Sequence, residues 1–185
     1  MTNSPIGEQS HKMAHHRVNL NSRNKFQGGK MIRDAYVVDE QNVASNGNFS
    51  LSDSFRIRKM LKNKFGLKSS DRIHVATGPG TWFEARSVFP DADVQVGYGP
   101  DGADYKLKDQ LLELIPIAKS FGKIVVCSGD HLLLEEVKAL RDAGANVILV
   151  GVRGSIHLPY FKLGIAVVEL EPITSMNTTD WMLTA

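Results

Sequence analysis

The segment from Lys123 to Val150 constrains the fold more than any other part of the chain. Lys123-Ile124-Val125-Val126-Cys127 is a short, unbroken apolar run. A run of this length suits a strand covered on both faces, as strands of a parallel sheet are. Leu133, Leu134, Val137 and Leu140 then recur at helical spacing, and Gly144 stands where a helix closes. Asn146 to Val150 is apolar again. Strand, helix and strand with short joints form the crossover unit of a parallel sheet, which is right-handed. Upstream, the same grammar predicts strands over 35–39, 72–76 and 93–97. It also predicts helices over 50–65 and 103–120, one or two helical turns over 81–88, and a further strand over 165–168. Pro116 is expected to interrupt the second long helix, because it lacks the amide donor and clashes one turn back. The predicted class is α/β, a three-layer α/β/α arrangement around a mainly parallel, Rossmann-like sheet.

At 185 residues the chain is one domain with tails, long enough for a core without covalent staples. The domain is placed at 34–170, between a basic, flexible tail over 1–33 and a second tail over 171–185. Residues 1–30 hold five of the 22 Lys/Arg and only one of the 20 Asp/Glu, so the net charge of +2 hides a basic end. That end reads either as an arm that seeks nucleic-acid phosphates or as a solubilising tail. The single cysteine, Cys127, excludes a disulfide framework and a cysteine-built zinc site, and fits a reducing compartment. No apolar run is long enough to span a membrane. The polar amino terminus lacks a signal-peptide core, so the expected location is cytoplasmic.

Ligands of parallel sheets gather beyond the carboxyl ends of the strands. Three separate segments deliver acids there: Asp39 with Asn42 behind it, Asp101 and Asp104 opening a helix, and Ser128-Gly129-Asp130 after the 123–127 strand. Each acid alone has an ordinary structural explanation. Asp130 suits an N-cap, Asp104 suits a first helical turn, and Asp39 can simply end a strand. Converging carboxylates repel one another unless a cation neutralises them, and a hard oxygen shell suits Mg²⁺ or Mn²⁺.

Three stretches carry a resemblance: Val37-Val38-Asp39-Glu40-Gln41-Asn42-Val43, Gly102-Ala103-Asp104-Tyr105-Lys106-Leu107, and Val125-Val126-Cys127-Ser128-Gly129-Asp130. In order and spacing they resemble the NYN domain, a branch of the PIN-like nucleases, over roughly residues 35–170. Ser155 and Leu158 also match a Ser-x-x-Leu of that pattern. The resemblance implies Mg²⁺- or Mn²⁺-dependent cleavage of RNA, with Asp39, Asp104 and Asp130 as metal-binding, catalytic acids. Asn42 and Ser128 would position substrate, and Lys106, Lys108, Arg153 and Lys162 are candidates to hold the RNA backbone. One position departs from the pattern. Leu132 stands where the family places a further Asp, and Asp109 sits about 140° around its helix from Asp104, on another face. A non-catalytic RNA-binding or interaction module on the same fold is therefore the alternative, with a homo-oligomer or protein partner left open.

Other motifs are weaker. Gly97-Tyr98-Gly99-Pro100-Asp101-Gly102 formally matches a dinucleotide fingerprint, but Pro100 and Asp101 put a rigid ring and a negative charge where pyrophosphate would sit. Cys127 reads as core. His131 reads as a helix-start residue or a general base. Trp82 and Phe83 read as core or as rings that stack on bases.

Overall fold

A computed structural model describes residues 26–27, 30–44 and 49–172. Six strands form one sheet: β1 (Ala35–Asp39), β2 (Arg72–Thr77), β3 (Asp93–Val96), β4 (Ile124–Cys127), β5 (Val147–Val152) and β6 (Ala166–Leu170). Every pairing in it is parallel, in the order β3-β2-β1-β4-β5-β6. The strand order reverses between β1 and β4, which opens a crevice at their carboxyl ends. β1 and β4 are adjacent as the delivery of acids requires, with Val38 opposite Cys127.

Alternation along the strands sorts the core into two layers. Tyr36 and Val38 face Ile57, Met60, Leu61, Ala85 and Val88. Those residues come from α2 (Leu51–Phe65) and α3 (Trp82–Val88), which follow the short α1 (Glu40–Ala44). Ala35 and Val37 face Leu107, Leu111, Val137 and Leu140. These lie on α4 (Gly102–Leu114) and α5 (Leu134–Asp142). The three-layer α/β/α class is thus the observed one.

Local chemistry explains the helix limits. Asp53 accepts the Ser50 N–H at 3.0 Å and opens α2. Gly66, at φ 71°, closes it by donating to Lys62 while Leu67 donates to Leu61. Pro116 acts as expected: α-geometry stops at Leu114, and the chain continues as a 3₁₀ segment over Ile115–Ser120. The segment 40–44, read in the sequence only as polar residues after a strand, is helical because Asp39 caps it.

At the amino edge Lys123 is buried, donating to the Phe65 carbonyl at 2.6 Å and lying 3.5 Å from Asp34. Gly122 N–H reaches the Arg33 carbonyl at 3.0 Å, so the docked chain begins one residue before the expected boundary at 34. Phe26–Gln27 and Lys30–Met31 form a two-residue antiparallel ladder. Most of the expected tail over 1–33, and residues 173–185 of the second, lie outside the described residues. Among the described residues no helix is long and apolar enough to cross a membrane.

Candidate active site

Asp39 occupies the last position of β1, on the α4/α5 face by alternation from Ala35 and Val37. Only 5% of it is exposed. Its Oδ1 accepts the Asn42 N–H at 3.0 Å, the capping bond of α1, and its Oδ2 accepts the Ser128 hydroxyl at 3.1 Å. Ser128 follows β4 and is one residue beyond the Val38–Cys127 pair, so strand register alone sets it beside Asp39. The same hydroxyl accepts the Asp130 N–H at 3.2 Å. Ser128 is buried and engaged on both sides, so it positions Asp39 and Asp130 rather than facing substrate.

Asn42 ties the two strand ends from the other direction. Its Oδ1 accepts the Gly129 N–H at 2.9 Å, which commits that oxygen to the β4 loop. Gly129 has no room for a side chain: a Cβ would stand 2.9 Å from the Ile156 Cα. Its carbonyl accepts the His157 N–H at 3.0 Å. Asp130 caps the 3₁₀ turn His131–Leu133 by accepting the Leu132 N–H at 2.8 Å, and lies 3.2 Å from His131 Nδ1. Tyr160 donates its hydroxyl to the Asp130 carbonyl at 2.6 Å. The ordinary capping role of Asp130 is therefore present, and its side chain still keeps 30% exposure at the crevice.

Asp104 lies half-buried in the first turn of α4. Burial raises its carboxyl above the usual range, and the charges of Asp130 and Asp101 raise it further. Asp39 is pushed up to about 7, first by burial and then by Asp104 and Asp130, against the lowering effect of the Asn42 and Ser128 bonds. The three acids expected to converge thus feel one another across the crevice. Among the described residues neither Asp39 nor Asp104 forms an ion pair with a cation. Their donor set, carboxylates with a hydroxyl and an amide behind them, is the hard oxygen chemistry that Mg²⁺ or Mn²⁺ accepts. As the side chains stand, no group of three or more His, Cys, Asp or Glu among the described residues is gathered closely enough to hold a metal. A three-carboxylate shell therefore requires at least one side chain to move.

The expected basic contacts divide. Lys108 pairs with Glu136 at 3.2 Å, and Arg153 pairs with Glu171. Lys106, half-buried, and Lys162, exposed, make no ion pair among the described residues. Leu132 contributes only its backbone N–H to the site, and Asp109 is exposed along α4. The glycine loop is not a nucleotide cradle. A Cβ on Gly97 would lie 2.0 Å from the Gly102 carbonyl carbon, so the loop folds onto itself, and it follows the edge strand β3 rather than β1. Cys127 is buried core, its thiol pushed far up by burial. Trp82 and Phe83 stand 49% and 67% exposed, at 6.0 Å edge to face, so the core reading fails for both.

Glu40 carries no local mark of its role in the sequence. It is wholly buried on the opposite side of the strand end from Asp39, and neither carboxyl oxygen has a hydrogen-bond partner among the described residues. Burial pushes it up to about 7, eased by the nearby Ser54 hydroxyl and raised again by Asp39 and Glu84. Compared with known proteins, the sequence matches no family model and no curated protein.

Proposed function

We propose that this chain is a metal-dependent ribonuclease acting at the crevice between β1 and β4, through Asp39, Asp104 and Asp130. The observation that carries the reading is Asp39. A buried carboxylate at the reversal point of a parallel sheet is held by Ser128 against Asp130, and no described cation compensates it. Bound Mg²⁺ or Mn²⁺ would supply an activated water near neutral pH and neutralise charge developing on the phosphoryl group.

The chain's own part is positional. Ser128 and the Asn42 N–H fix both oxygens of Asp39, and their remaining lone pairs would be the ones offered to a metal. Asn42 and Tyr160 hold the Ser128–Asp130 loop against α1 and the segment after β5. Of the expected cations on α4, Lys108, four residues after Asp104, shares its helix face and is held there by Glu136, while Lys106 lies about 160° around the helix from Asp104. The acids would repel RNA in the absence of a cation, so binding at the crevice and metal loading are coupled.

Asp130→Asn tests the reading. Asn caps a turn about as well as Asp, so the Leu132 N–H keeps its acceptor and thermal stability is retained. The metal-binding charge is lost, and Mg²⁺- or Mn²⁺-dependent RNA cleavage should disappear. Cleavage that survives Asp130→Asn, or survives a chelator, overturns the mechanism. The second reading, a non-catalytic RNA-binding or interaction module, rests on Leu132 and on the absence of a gathered three-ligand group among the described residues. It becomes the better one if wild-type protein binds RNA and cleaves none with either ion.

A further inference from the structure

Residues 51–68 hold six Lys/Arg, namely Arg56, Arg58, Lys59, Lys62, Lys64 and Lys68, against the single acid Asp53. In α2 these cations are not spread evenly. Phe55, Lys59 and Lys62 are spaced i, i+4, i+7 and lie within about 60° of one another on the outer face, with Arg58 beside them. Phe55, Lys59 and Lys62 are exposed, while Ile57, Met60 and Leu61 bury the opposite face. Asp53 is spent on Ser50 and Arg56. Arg58 is fixed by the Val88 carbonyl at 2.7 Å and Asp91 at 3.3 Å, and lies over the Phe89 ring. Lys59 and Lys62 make no ion pair among the described residues. In the opposite layer Lys108, Lys138 and Arg141 are each matched by an acid, while Lys106 and Lys119 make no ion pair among the described residues.

The stripe has two distinct ends. Helices of a parallel sheet run against the strands, so the first turn of α2 stands at the carboxyl edge, where α1 leads from Asp39. Exposed rings gather at that edge: Phe55 on α2, and Trp82 and Phe83 on the first turn of α3, which packs beside it. At the other end a cleft of about 400 Å³ is lined by Arg58, Lys62, Leu67, Lys68 and Ser69. α2 has 15 residues, so the two ends are about 22 Å apart.

We propose that the outer stripe of α2, from Lys62 and Lys59 to Phe55 with Trp82 and Phe83, is a track for single-stranded RNA leading to the β1–β4 crevice. The proposal rests on the ribonuclease reading for its destination, but not for the binding itself. Uncompensated cations along a helix take phosphates, and exposed rings take the flat faces of unpaired bases. A duplex hides those faces, so the rings select single strands. A membrane-surface helix needs a continuous apolar face, and the outer face of α2 has apolar residues only near its first turn.

The experiment uses the full chain and a fluorescent polyuridine, with binding followed by anisotropy in a chelator across a salt series. Lys59→Gln/Lys62→Gln is compared with Lys119→Gln/Lys138→Gln, which removes the same charge from the other layer. The stripe variant should lose affinity at low salt, and its log–log salt slope should shrink by about 1.4, at about 0.7 per phosphate contact for single strands. The control should keep the wild-type slope. Trp82→Ala should weaken binding without altering the slope. Equal slopes for the two double variants overturn the track. So does duplex RNA, or anionic vesicles, binding this face as tightly as the single strand does. The two readings fail separately. Stripe-dependent binding with no cleavage by wild type leaves the track standing without the nuclease, and cleavage untouched by the stripe variant leaves the nuclease without the track.

Discussion

Replacing Glu40 with glutamine probes a buried carboxyl that the fold leaves poorly compensated. The Glu40 carboxyl is fully buried on the α2 side of the sheet, and neither oxygen has a hydrogen-bond partner among the described residues. Burial raises it from an ordinary carboxylate value to about 7. Between its unfolded value and about 7, the folded state therefore holds a proton that the unfolded state has released. Stability must fall as pH rises through that window and level off above it. At 1.36 kcal/mol for each tenfold change, Glu40 accounts for a loss on the order of 2–3 kcal/mol between pH 5 and pH 8. Glu40→Gln keeps the shape and cannot ionise. It should be close to neutral at pH 5 and should stabilise the protein at pH 8, narrowing the gap between the two by that amount. Urea melts at both pH values measure this. Asp39, also raised to about 7, contributes a second loss over the same window, which Glu40→Gln leaves in place. Mg²⁺ at pH 8 should recover the Asp39 share by binding the folded state, and not the Glu40 share. If wild type and Glu40→Gln give superimposable pH–stability curves, Glu40 is not a destabilising buried charge and the reasoning fails.

Three further outcomes are expected. Gly97→Ala forces a Cβ onto the Gly102 backbone and should cost about 3 kcal/mol or more in thermal or urea melts, with loss of any activity that depends on Asp104 at the start of α4. Ser128→Ala removes the hydroxyl that Asp39 accepts; it should cost about 1 kcal/mol and raise the Asp39 carboxyl further, seen as weaker Mn²⁺ binding by calorimetry at pH 7 than in wild type. Lys123→Met leaves Asp34 as a buried charge without its ammonium partner and should cost about 3 kcal/mol, part of which Asp34→Asn in the same chain should restore.

The sheet was legible in the sequence because its strands are buried on both faces. Continuous apolar runs such as Val125-Val126-Cys127 and Val147-Ile148-Leu149-Val150 have few alternative uses in a chain this short. Helix ends were legible where a single residue decides them, as Gly66 and Pro116 do. Part of the site was legible for the same reason. Asp39 and Asp130 sit at strand ends, and strand register then fixes Ser128 beside Asp39. What the sequence hid were contacts across the chain. The Asn42–Gly129 bond joins residues 87 apart, and no local pattern announces it. Glu40 looked like part of a polar turn, because only the placement of α2 over it makes it buried. Trp82 and Phe83 could be read as core or as rings that stack on bases, since an aromatic pair has no local mark of exposure. The cations of α2 were present in plain sight at Arg56-Ile57-Arg58-Lys59, but a charge count over the whole chain averages them against distant acids. Only the helical phase separates Lys59 and Lys62 from Lys64.

The parity of one strand explains how an acidic crevice and a cationic helix coexist within one small domain. Asp39 continues the alternation of Ala35 and Val37 and therefore opens toward α4 and α5, where Asp104 and Asp130 lie. Glu40, the first residue of α1, turns the other way, toward Ser54 of α2 and Glu84 of α3. The sheet thus separates the carboxylates of the crevice from the lysines of the α2 stripe. Were both sets on one face, Lys59 and Lys62 could fold onto the acids and neutralise them, leaving no charge for a divalent ion and no cations for a phosphate backbone. Separation leaves the buried Asp39 without a cation among the described residues, which is costly, and leaves the exposed Lys59 and Lys62 hydrated and open to an anionic ligand. Under the proposed function, an RNA strand with its metal would meet both at once. Its phosphates would complement the lysines of α2, and the ion would allow one phosphate to approach Asp39 across the carboxyl edge of the sheet.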